Sequence, residues 1–138
     1  MIRIVIDTNL FIAAYRNRNS ASARILRILE SGRAVGVCFT TAIERELFRI
    51  LKRGRTSTQY RDRIRTLLES GERIHDAPRV HLVKEDPSDN KFLGCATKAG
   101  ASYILTNDRH LLDLGTVEGI RITRPQLFLT EWSEKKKK

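Results

Sequence analysis

Cysteine, histidine and proline are scarce in this chain, with two, three and three among 138 residues. Two cysteines cannot build the disulfide framework of a small secreted scaffold. Cys38 falls in an expected strand and Cys95 in an expected helix, where each reads as a small buried hydrophobe in a reducing compartment. There is no Cys-x-x-Cys pair, and His75, His81 and His110 lack ligand spacing, which excludes a zinc site. No apolar run approaches the roughly 20 residues that span a bilayer, and no basic and apolar leader precedes the first strand pattern. A cytoplasmic protein is expected. Repeats and Pro/Gly/Ser linkers are also missing, so residues 1–132 read as one domain, with 133–138 a basic, disordered tail.

Charge, by contrast, is abundant and one-sided. Lysine and arginine number 26 against 16 acids, a formal +10. Four of the 26 are the terminal lysines; 22 against 16 remain without them. The surplus is clustered at Arg45, Arg49, Lys52, Arg53, Arg61 and Arg65, a field that attracts polyanions, of which nucleic acid is the commonest.

Strand and helix patterns alternate. Strands are expected at 2–7, 34–39, 102–106 and 119–123, with a short one somewhere in 73–83. Helical spacing fills 20–31, stopped by Gly32. A second helix begins at "TAIERELFRILKR", opened by a capping box of Thr41 and Glu44. A basic helix covers 57–70. Asp86 as cap and Pro87 at the first position announce another, ended by Gly100. Pro125 opens a last short one through Trp132. Strands apolar throughout and separated by helices imply an α/β fold, a mostly parallel sheet covered on both faces. Ligands of such sheets bind at the carboxyl ends of the strands.

Two carboxylates stand at those ends. "IRIVIDTN" and "YILTND" each run an apolar strand into an acid, Asp7 and Asp108, with Thr and Asn beside it. Asp89 shares a helical face with Phe92, Leu93 and Ala96, where an acid is costly unless paired or bound to a cation; its bland role would be a helix-dipole interaction. On the "TAIERELFRIL" helix both Glu44 and Glu46 are candidates, Glu46 lying at the margin of the apolar stripe and Glu44 serving the capping box. Were such acids to converge, each pair about 4 Å apart would repel by roughly 4 kcal/mol at an effective dielectric near 20. Only protons or a cation could hold them, and oxygen-only ligands suit Mg²⁺ or Mn²⁺.

With "VIDTNLFIAA", "ERELFRIL", "DPSDNKFLGCATKAGASYILTNDRHLL" and "IRITRPQLFL", the chain resembles the PIN-domain family over nearly its whole length. The resemblance is strongest to the VapC-like branch of prokaryotic toxin–antitoxin pairs. It implies a three-layer fold with strand order 3-2-1-4-5 and an Mg²⁺- or Mn²⁺-dependent endoribonuclease. It also implies a protein often dimeric and restrained by a small antitoxin. The family's acids fall on Asp7, Glu46, Asp89 and Asp108, with Thr8, Asn9, Thr106 and Asn107 as supporting polar groups. Relatives often carry a second acid where Ser88 stands here, so an auxiliary ligand is missing. A dehalogenase-type phosphatase would need an acid at Asn9, and a receiver domain would need paired acids near the first strand. The rival reading is an RNA-binding PIN module without cleavage.

Overall fold

Burial of the apolar strands decides the architecture. In a computed structural model, which describes residues 1–32, 34–84 and 87–136, β1 (Ile2–Ile6) lies at the centre of a six-stranded sheet. Ile4, Val5 and Ile104 are fully buried, as strands covered on both faces must be. With β2 (Val35–Phe39), β3 (Glu72–Arg73), β4 (Tyr103–Leu105), β5 (Thr116–Val117) and β6 (Ile120–Thr123), the order is β3-β2-β1-β4-β6-β5. All neighbours are parallel except the β5–β6 hairpin. The expected order 3-2-1-4-5 is therefore present, its last strand being β6, and β5 extends the edge. That hairpin turns through Glu118 and Gly119, both at positive φ, a two-residue turn of the kind Asn-Gly usually announces. Glutamate in that seat gave no such signal.

The helices are α1 (Asn9–Arg16), α2 (Ala21–Glu30), α3 (Thr41–Arg53), α4 (Thr58–Glu69), α5 (Asn90–Ala99), α6 (Arg109–Leu112) and α7 (Pro125–Lys136). Right-handed parallel crossovers put α1 to α4 on one face and α5 on the other. In agreement, α1 packs against α2 and α3, α2 against α7, and α5 against β1, β2 and β4. The result is three layers. Chain direction reverses between β1 and β4, and the crevice at that switch point is where α/β sheets bind ligands.

Several expectations shift. The capping box of Thr41 and Glu44 does not form. β2 ends at Phe39, so Thr40 is the cap, its hydroxyl accepting from the Ile43 N–H at 3.2 Å. Glu44 then lies one position too far along and instead pairs with Arg73 at 2.9 Å. The strand expected within 73–83 amounts to Glu72–Arg73. Helix α7 runs to Lys136, beyond Trp132, because Glu and Lys favour helix and nothing stops it. Asp86, read as a cap, lies outside the described residues, as do Lys137 and Lys138. Gly100 ends α5 in the left-handed conformation (φ 65°), as read. Both cysteines are buried and free, and burial pushes their thiols up, to about 11 for Cys38 and about 12 for Cys95.

Candidate active site

Register places the first pair of groups. Ile6 lies opposite Leu105, so the next residues, Asp7 and Thr106, emerge side by side at the strand ends. The Asp7 N–H still donates to Leu105 O at 2.9 Å, and the side chains meet as well. Thr106 Oγ1 donates to Asp7 Oδ2 at 2.7 Å, and the Asn9 N–H donates to Oδ1 at 3.1 Å. Both Asp7 and Thr106 are buried. Thr106 Oγ1 also accepts from the Asp108 N–H at 2.9 Å, fixing the turn that carries Asp108. Burial raises the Asp7 carboxyl above its ordinary value of 3.8. The hydrogen bonds from Thr106 and Asn9 oppose the rise, and the charges of Asp108 and Glu46 add to it. The charges of Asp108 and Glu46 thus both reach Asp7.

Glu46 arrives from α3. Its Oε2 accepts from Thr8 Oγ1 at 2.9 Å, and its Oε1 pairs with Lys91 Nζ at 2.9 Å. Glu44, on the other flank of the helix, is engaged by Arg73. The apolar stripe left these two acids hard to separate; the partners separate them. Asp89 is buried in the 3₁₀ turn Pro87–Asp89 that leads into α5, and α5 touches α3 across the top of the sheet.

Capping behaviour is informative. Ser20, Thr40, Ser57 and Asp108 all cap their helices by side-chain hydrogen bonds. Thr8 and Asp89, which precede α1 and α5, already have helical backbone conformations, so their side chains are not turned back onto the helix ends and make no cap bond. Thr8 gives its hydroxyl to Glu46 instead. Asp108, in contrast, has a structural duty, accepting from the His110 N–H at 2.8 Å. Asn9 contributes its backbone, and the exposed Asn107 side chain accepts from Arg124 at 3.3 Å.

The donor set, all oxygen and largely carboxylate, fits a hard divalent ion. Among the described residues no three acid, cysteine or histidine side chains are already gathered as ion ligands. Two residues escaped the sequence reading. Lys91 carries the cation nearest Glu46, and its signal was only its place two residues after Asp89. Asn90 is buried and clasps Val83 from both sides, accepting from its N–H at 2.9 Å and donating to its carbonyl at 3.0 Å.

Of the basic residues, Arg45, Arg49, Lys52 and Arg53 are exposed on α3, with Arg49 and Arg53 three and seven positions after Glu46 and so on its flank. Arg61 is turned inward to Thr56, and Arg65 pairs with Asp62 at 2.9 Å over the Phe48 ring.

A doubly wound sheet with Asp7 and Asp108 at the strand ends beside its switch point defines a class of α/β protein. The particular family follows from comparison: the PIN domain family matches residues 3–110, and the chain belongs to it. Among solved structures it is similar to VapBC2 from Rickettsia felis bound to a DNA fragment from the promoter. The TM-score is 0.61 at 13% identity, over 88% of this chain and 97% of that one. It is also similar to PAE2754 from Pyrobaculum aerophilum, with a TM-score of 0.59 at 16% identity, over 94% and 88%. At such identities the likeness is one of fold. No curated protein matches the chain.

Proposed function

We infer that this PIN domain is a divalent-metal-dependent endoribonuclease, the toxin of a toxin–antitoxin pair. The observation carrying the reading is the burial of Asp7 at the end of β1, where the charges of Asp108 and Glu46 both reach it. Asp7, Glu46, Asp89 and Asp108 would hold Mg²⁺ or Mn²⁺, which when bound supplies an activated water and a counter-charge for the scissile phosphate. Thr106 and the Asn9 N–H hold the Asp7 carboxylate in one orientation, and Thr8 does the same for Glu46. The exposed arginines and Lys52 of α3 draw the RNA backbone past Glu46. Likeness to VapBC2 supports the toxin assignment and a small antitoxin partner; a homodimer and a cytoplasmic location complete the proposal.

One observation favours the rival, a PIN module that binds RNA without cutting it: Glu46 is engaged by a lysine. Cleavage of RNA with Mn²⁺ and its arrest by EDTA separate the two. Glu46→Gln should abolish cleavage in a folded protein, while Glu44→Gln should leave it intact, because the solvent-exposed Arg73 pair it weakens contributes little. Binding unaffected by metal, with no cleavage, would establish the rival.

A further inference from the structure

Lys91 is held with its ammonium against Glu46. Asn90, immediately before it, is anchored to both backbone groups of Val83, which fixes the first turn of α5 and aims Lys91 across at α3. Its Nζ donates to Glu46 Oε1 at 2.9 Å and to the Ser88 carbonyl at 2.7 Å, and stands 4.8 Å from the Phe92 ring centre. The two side chains are only about one-fifth exposed, 21% for Lys91 and 19% for Glu46. Thr8 takes the other Glu46 oxygen, so both are in use within the protein.

The geometry points to Lys91 as an internal counter-ion that competes with the divalent cation for Glu46 and so sets the affinity of the site. This rests on the nuclease reading only in taking Glu46 as a ligand. An ammonium on Oε1 and a dication on the same carboxylate repel each other, so the ion gains Glu46 only as Lys91 leaves it. The four-carbon stem allows that departure without moving α5. A half-buried pair of this kind is occupied about five to ten times as often as it is broken, and an occupied competitor weakens apparent binding by the same factor.

The test is Mn²⁺ binding to the full chain without RNA, followed by electron paramagnetic resonance of the free ion. Lys91→Met keeps the apolar stem over Phe92 and removes the charge, so it should bind Mn²⁺ about five to ten times more tightly than wild type. Lys91→Arg keeps a cation and should stay close to wild type. Without metal, Lys91→Met should melt at a lower temperature, and Mn²⁺ should raise its melting point by more than it raises that of wild type. Equal or weaker Mn²⁺ binding by Lys91→Met would overturn the competition and leave the nuclease reading standing. Failure of wild type and variant alike to bind Mn²⁺ would overturn both.

Discussion

Replacing Asp7 by Asn removes one charge from the strand ends at almost constant volume, and the structure fixes the sign of the result. The Asp7 carboxyl is raised from 3.8, chiefly by burial and further by Asp108 and Glu46. A group raised on folding stabilises the fold fully below its unfolded value, and that contribution is lost as pH rises through the folded value. At neutral pH the ionised Asp7 is therefore a cost. The Asp108 and Glu46 charges add to that cost by repulsion, which solvent around the two groups partly screens. Against this, Thr106 loses a charged acceptor worth about 1 to 2 kcal/mol, while Asn keeps an oxygen for the Asn9 N–H. Adding relief of the buried charge, Asp7→Asn should be more stable by about 1 to 2 kcal/mol near pH 8 without metal. In a chain of this length that is a rise of about 3 to 6 °C. Toward pH 4 the advantage should shrink, because a carboxyl raised above its ordinary value takes up its proton earlier as pH falls. With Mn²⁺ the order should reverse, since wild type gains by binding and the variant gains little. Melting curves at the two pH values, with and without Mn²⁺, provide the measurement. An Asn variant less stable than wild type at pH 8 would mean that Asp7 serves as a structural acceptor and would refute the reasoning.

Asn90→Ala strands the buried N–H and carbonyl of Val83 and should cost about 2 to 4 kcal/mol in urea unfolding; a loss under 1 kcal/mol would mean that water replaces the clasp. RNA affinity should fall steeply with salt. The joint change of Arg49→Ala and Lys52→Ala should flatten the plot of log K against log salt by about 1.4 if each contacts a phosphate. An unaltered slope would place the RNA elsewhere.

Much of this protein is local in origin, and its sequence alone determined that part. Apolar strands bounded by helices imply a parallel sheet because each strand's own composition states that both its faces are covered. Pro87 and Gly100 bracket a helix by backbone conformation, with no reference to the rest of the chain. The acids at 7 and 108 were visible for the same reason: each interrupts an apolar run where a strand must end. Helix α1 was missed because Thr8 and Asn9, at its start, read as turn chemistry directly after the strand.

Long-range geometry settled the remainder. Whether Glu44 or Glu46 reaches the site depends on which lies near Thr8 and Lys91 and which near Arg73, partners 29 to 45 positions away. The helical stripe is blind to those distances. That Asp7 and Thr106 share a hydrogen bond across 99 residues is a fact of the β1–β4 register, and register is set by burial of the whole sheet. Lys91 is the clearest case. In the chain it is one basic residue among 26; only the packing of α5 against α3, which faces its ammonium toward Glu46, gives it a partner.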